Sequence, residues 1–223
     1  MRPLVLVGAG GFAREVAHAV LDLNDDGAGW DLLGFLDDDP ARRGTAMDGI
    51  PVIGTTAEMG RFGSAAVLVC TGSPADPGSR RRLVERLDLA ADRFATLVHP
   101  GANVARATTL GPGTVVMAGA VSTANATIGA HVTIMAGTVV THDDVIADYV
   151  IAAAGVRLGG GVHVDAGAYL GAGCLVRERL RVGAGALLGM GSVALCDVPA
   201  GEVWAGVPAR RLRVLRPSAL ERI

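Results

Sequence analysis

The chain has 223 residues, 50% of them hydrophobic, with 32 glycines and a formal charge of −2; every basic residue is an arginine. That is enough apolar material for two compact units, and a balance too acidic for a general phosphate-backbone binder, which removes nucleic acid from the expected partners. Cys70, Cys174 and Cys196 stand far apart in no C-x-x-C spacing, so buried free thiols in a reducing compartment are expected, with no disulfide framework and no metal. No apolar run is long enough to span a bilayer and the first residues run straight into a short strand, which predicts a cytoplasmic protein with no membrane partner.

Residues 1–96 read as a small α/β unit. A buried strand over 4–7 is followed by Gly8, Ala9, Gly10, Gly11, Phe12 and Ala13, the turn into a helix through Arg14–Ala17. Glycines here let the backbone approach a phosphate whose charge is favoured at the helix N-terminus. A second strand over 32–36 ends in Asp37, Asp38 and Asp39, placing carboxylates where a ribose or base is bound in such crevices. A third strand over 66–70 leads through Thr71, Gly72 and Ser73 to a helix beginning near Ser79. The unit is too short for a six-stranded dinucleotide domain and suits a mononucleotide-sized ligand.

From Val98 to Ala194 an aliphatic or small residue recurs at every sixth position, 14 of the 17 being Val, Ile or Leu. Neither a helix nor an ordinary sheet has this period, so each hexad is one short strand and one corner of a solenoid. Three residues after the aliphatic position comes Gly in ten hexads, where a corner wants positive φ; one residue later the side chain is small or β-branched, suiting the interior. This pattern resembles the hexapeptide-repeat acyltransferases. The resemblance implies a left-handed parallel β-helix of triangular coils, and a homotrimer with active sites between neighbours. It yields an α/β Rossmann-like domain over 1–96, an all-β left-handed parallel β-helix over 97–200, and a capping segment over 201–223.

At one corner the run of aliphatic residues is interrupted by Thr141, His142, Asp143 and Asp144. Acetyl transfer from a thioester to an amine or hydroxyl needs a base that works near neutrality, the property of imidazole, and a neighbouring carboxylate orients the ring. In a triangular coil Gly160, eighteen residues on, stacks above the same corner and offers its N–H to an oxyanion. His18, His99, His131 and His163 lie elsewhere in the pattern and are expected in packing or solvent roles; no closely spaced His pair suggests a zinc site. The stretch Gly206, Val207, Pro208, Ala209, Arg210, Arg211 resembles the closing loop of hexapeptide acyltransferases that bind coenzyme A, while also capping the solenoid.

The opening G-A-G-G-F-A-R-E-V-A, the G-F-L-D-D strand end and the L-V-H-P junction before the hexads are similar to the sugar acetyltransferases related to sialic acid O-acetyltransferase and to the bacillosamine and perosamine N-acetyltransferases. The likeness covers essentially the whole chain. It implies acetyl-CoA as co-substrate and a nucleotide-linked amino sugar as acceptor, His142 as base, Asp143 as its partner and the Gly160 amide at the oxyanion. It places Gly8, Gly10, Gly11, Asp37, Gly72 and Arg80 around the nucleotide. The chain departs from the family at Met135, where an Asn is usual near the acceptor, and at Ile151, where a second His is usual, which bears on the acyl or acceptor pocket. Sugar O-acetylation and a noncatalytic nucleotide-sugar-binding trimer stand as the alternatives.

Overall fold

The computed structural model describes residues 1–74 and 76–215; the end of the expected capping segment, residues 216–223, lies outside the described residues. The first domain is a five-stranded sheet. Strands β1 (Arg2–Val7), β2 (Trp30–Leu36), β3 (Ala46–Met47), β4 (Ile50–Gly54) and β5 (Ala66–Val69) lie in the order β3-β4-β2-β1-β5. All pairings are parallel except the β3–β4 hairpin. No strand is expected from the apolar runs between Leu36 and Ala66, yet the hairpin has a local cause: Asp48 and Gly49 form its two-residue turn with φ of 49° and 82°, the left-handed pair that an Asp-Gly turn supplies. Helix α1 (Gly11–Asp25) buries Ala13, Val16, Ala17 and Val20 at helical spacing against this sheet. It ends where Gly27 turns to φ 91° and Ala28 N–H returns to the Leu23 carbonyl at 2.9 Å. Helix α2 spans Ser79–Leu87.

The six-residue period becomes a parallel β-helix. Two-residue strands from Leu97–Val98 to Val193–Ala194 pair with the strand eighteen residues on, as Val121 and Ser122 do with Val139 and Val140. The result is three stacked sheets. The aliphatic position points inward: Ile134, Ile146, Leu158, Leu170 and Leu188 are buried in one continuous core, each such side chain contributing about 1.5–3 kcal/mol by leaving water. Nine of the ten corner glycines have φ between 61° and 72°, Gly101 being the exception; Asn125, His131, Asp143, Tyr149 and Arg179 take the same left-handed corner at φ 55–63°. After the last coil, Glu202–Ala205 and Arg210–Val214 form a hairpin that covers it, with Trp204 and Ala209 packed on the core.

The first domain sits on one face of the solenoid. On that face the outward residues Leu97, Val115, Thr133 and Ile151 are buried, whereas on the next face Val121, Val139 and Val193 are only half-buried and Leu175 is exposed. Leu97, Val115 and Met117 belong to the same apolar cluster as Leu4, Leu6 and Ala13. The domains therefore share a core. Arg80, at the start of α2, is the polar pin of this junction. Its Nε donates to the Thr71 carbonyl at 2.7 Å, and its Nη1 to the His131 carbonyl at 2.9 Å and to Thr133 Oγ1 at 2.6 Å.

His131 lies in the same junction, stacked on Tyr149 with 5.1 Å between ring centroids and edge-on to Phe94 at 4.6 Å. Burial, with the nearby Arg80 cation adding to it, pushes its imidazole down from 6.5 to about 4. As pH falls through that window the unfolded chain takes up a proton that the folded chain excludes, so stability is lost. Thermal midpoints of the wild type are expected to fall from pH 6.5 to pH 4.5 more steeply than those of His131→Asn, a residue that tolerates the left-handed corner. Equal slopes would remove His131 from this role.

All three cysteines are free. Cys70 and Cys174 are buried as expected, and burial pushes both thiols up to about 12. Cys196 corrects the expectation: it is exposed, because it falls two residues after the last aliphatic position, outside the interior phase. Among the described residues no helix is long and apolar enough to cross a membrane, and no cluster of three or more His, Cys, Asp or Glu is placed to hold a metal.

Candidate functional site

The parallel strands β1, β2 and β5 end at a cleft of about 280 Å³ lined by Gly8, Gly10, Gly11, Phe12, Asp37, Arg42, Thr71 and Gly72. Gly8 must be glycine: its φ is 98°, and a Cβ there would stand 2.9 Å from Thr71 Cγ2. Gly10 and Gly11 face open space, and the first turn of α1 has no side-chain cap, so its N–H groups look into the cleft. Asp37 braces the loop by accepting the Ala9 N–H at 2.7 Å, with Arg42 Nη1 3.4 Å from the same oxygen. Asp38 turns away, accepting from Thr56 N–H and Oγ1 at 2.8 Å and pairing with Arg86.

Gly72 closes the cleft toward the solenoid. A Cβ on it would come 2.6 Å from Ile151 Cδ1 and 3.0 Å from Arg80 Nη2, so Ile151 and Arg80 form the floor beneath the loop. Arg80 is only 3% exposed; the structure places it under the cleft, holding the Thr71 carbonyl, and not on its surface. Met135, half-buried, begins the corner that follows the strand Thr133–Ile134. Met135 and Ile151 are thus both at the edge of the face that carries the first domain.

His142 stands at a different edge, the corner between the strands Val139–Val140 and Val145–Ile146. Its side chain is 65% exposed, with Nδ1 2.9 Å from Asp143 Oδ2. A carboxylate only accepts, so Nδ1 carries the proton and Nε2 presents a lone pair. Asp143 reaches this position from the left-handed corner at φ 60°. The ring lies directly over Gly160: a Cβ on that glycine would collide with Nε2 and Cε1. Gly161 N–H bonds the His142 carbonyl at 2.9 Å, while Gly160 N–H donates to no group among the described residues. At the equivalent phase of a neighbouring corner the Ala130 N–H donates to the Asp148 carboxylate at 2.7 Å, so an amide at this phase turns outward and can donate to an anionic oxygen. Imidazole, carboxylate and free amide therefore converge on one exposed point.

The other histidines are elsewhere. His99 pairs with Asp22 at 2.9 Å, His18 lies 3.4 Å from Asp48, His163 is exposed on the third face, and His131 is in the junction. In the terminal loop Gly206 N–H bonds Ser192 Oγ at 3.1 Å and Gly206 has φ 103°. The Val207–Pro208 peptide is cis. Arg210 is exposed, while Arg211 pairs with Glu202, which also accepts from the Trp204 indole at 2.7 Å. The residue that sequence reasoning passed over is Asp144, fully buried one step beyond the His142–Asp143 pair. Its signal was countable: four residues after Val140 is the interior phase.

A glycine-loop nucleotide fold fused to a hexapeptide β-helix with an exposed His–Asp corner defines the class of hexapeptide-repeat sugar acetyltransferases. Residues 3–87 match the PglD N-terminal domain family. The chain is similar to the acetyltransferase domain of PglB from Neisseria gonorrhoeae, solved in complex with acetyl coenzyme A, at 31% identity over 95% of this chain and 99% of that one, with a TM-score of 0.85. A mutant of perosamine N-acetyltransferase from Caulobacter crescentus, in complex with CoA and GDP-perosamine, matches at 28% identity over 96% and 98% of the two chains, with a TM-score of 0.83. A stretch of 39 residues is 51% identical to UDP-N-acetylbacillosamine N-acetyltransferase of Bacillus subtilis, spanning 18% of that relative's length. The chain belongs to the family of the bacillosamine and perosamine N-acetyltransferases.

Proposed function

We propose that this protein transfers an acetyl group from acetyl-CoA to the amino group of a nucleotide-linked amino sugar by direct attack. The observation that carries the reading is the His142 ring held over Gly160 with Nδ1 on Asp143. The acceptor nitrogen attacks the thioester carbonyl and His142 Nε2 takes its proton. The carbonyl oxygen, now anionic, is held by the Gly160 N–H; collapse expels the CoA thiolate, which recovers the proton from the imidazolium. No acyl-enzyme forms.

The cleft of Gly8, Gly10, Gly11, Asp37 and Gly72 holds the nucleotide, with Arg80 shaping it from below. Met135 and Ile151 border the path of the sugar. The terminal loop, with Gly206, Pro208, Arg210 and Arg211, holds the CoA end, since guanidinium groups suit its phosphates. Within one chain the nucleotide cleft and His142 lie on different edges of the triangle, so the site closes between protomers of a ring, which supports a homotrimer. The chain works in the cytoplasm, where acetyl-CoA is made and used.

The test is a CoA-release assay with UDP-, dTDP- and GDP-linked amino sugars, with products weighed by mass spectrometry. A mass gain of one acetyl group on an amino sugar nucleotide is expected. Acetylation of hydroxyl-only acceptors would favour the O-transfer alternative, and calorimetry showing no binding of acetyl-CoA would leave only a binding role.

A further inference from the structure

The interior phase of the solenoid is filled by Ala, Thr, Val, Cys, Leu or Ser at every hexad except one, where Asp144 stands fully buried. Burial pushes its carboxyl above the ordinary range. An interior carboxylate costs several kcal/mol in order of magnitude unless hydrogen bonds compensate, and neighbouring coils fill the same position at no such cost. Asp144 Oδ2 accepts the Thr141 N–H at 2.6 Å and Oδ1 accepts the Val162 N–H at 2.8 Å. Thr141 immediately precedes His142, and Val162 is two residues after Gly160.

The Thr141 bond has a consequence for the coil. From His99 to Arg177, each residue following the aliphatic position donates its N–H to the aliphatic-phase carbonyl one coil on, at 2.8–3.3 Å; Thr141 alone does not donate to Leu158. The strand pair Val139–Val140 and Arg157–Leu158 correspondingly keeps a single partner pair, Val139 with Arg157, where the other stacked pairs of the solenoid keep two. The ladder is interrupted at the His142 corner, and Asp144 supplies the missing acceptor from inside.

We propose that Asp144 is a positioning residue for acetyl transfer: by taking the Thr141 N–H out of the ladder and tying it to Val162, it sets the corner that holds His142 over the Gly160 amide. This inference rests on the reading of His142 as the base. Asp144 touches no reactant; it acts through the backbone on either side of the two groups that do.

Asp144→Thr places in this position the residue found at Thr108, Thr114 and Thr138 and lets Thr141 rejoin the ladder. The variant is expected to melt at or above the wild-type midpoint. Its kcat is expected to fall by about 10–100-fold, the scale of a catalytic group displaced by about 1 Å, with KM for both substrates and the calorimetric Kd for CoA within about threefold of wild type. Asp144→Asn, which keeps the size and one acceptor, should fall between. In a histidine-edited ¹H–¹³C spectrum the His142 ring signals of Asp144→Thr should shift or broaden, a readout independent of turnover. Wild-type kcat and unchanged His142 signals in Asp144→Thr would overturn the proposal, as would a loss of kcat that merely follows a loss of CoA binding and of melting temperature. If His142→Ala stays active, the base assignment falls and the proposal with it. If His142→Ala is dead while Asp144→Thr is unimpaired, Asp144 alone is wrong.

Discussion

Replacing His142 with alanine is expected to lower kcat by about 10²–10⁴-fold, the usual contribution of a positioned general base, while leaving the fold untouched. The second half of that expectation follows from exposure: the ring is on the surface and, among the described residues, its one polar contact is to Asp143. Surface substitutions of this kind shift stability by within about 0.5 kcal/mol, so the melting curve and the sedimentation behaviour should match the wild type. Asp143→Asn should cost less, about tenfold, because an amide still accepts from Nδ1 but no longer balances the charge of an imidazolium. Both are read in single-turnover CoA release with saturating acceptor. A His142→Ala protein that turns over at more than half the wild-type rate would remove His142 from the role of general base.

Arg80→Met should be the most damaging single change outside the solenoid core. Burial draws the guanidinium down to about 10, leaving it charged at neutral pH, and it spends that charge on two carbonyls and a hydroxyl from two domains. Methionine fills much of the volume but strands the Thr71 and His131 carbonyls and Thr133 Oγ1 without their donor. Each buried polar group left unmade costs about 1–3 kcal/mol, and relaxation of the Thr71 loop recovers part, so a loss of about 2–4 kcal/mol is expected in urea unfolding. The first domain should also loosen on the solenoid, so that nucleotide binding weakens while CoA binding holds. An unchanged urea midpoint would show that the shared apolar core of Leu97, Val115 and Met117 holds the junction unaided.

What was legible in the sequence was what repeats or is local. The six-residue period announces the solenoid because every coil meets the same two demands, an apolar interior and a left-handed corner, so the same residues recur. The Gly8–Ala13 turn is readable for a similar reason: backbone approach and a helix N-terminus need glycine at fixed offsets. His142, Asp143 and Gly160 came within reach because eighteen residues return the chain to the same corner. The Asp48–Gly49 hairpin carries a local signal of the same kind, but its strands are short beside the long apolar runs of β1 and β2, so no period marks them.

Other features were settled only by the folded chain. Arg80 and its partner Thr133 lie 53 residues apart, in different domains. No periodicity relates them, since their meeting depends on which solenoid face the first domain covers. The place of Asp144 could be counted, but its effect could not: that a carboxylate takes one N–H out of an otherwise regular ladder depends on the spacing between coils, which hydrogen bonding across the whole stack sets. Sequence alone thus determined the architecture and offered the candidate residues for chemistry. Tertiary structure decided which carboxylate faces inward, which arginine is buried and which edges of the triangle carry the glycine-loop cleft and His142, because these depend on contacts between segments that share no local pattern.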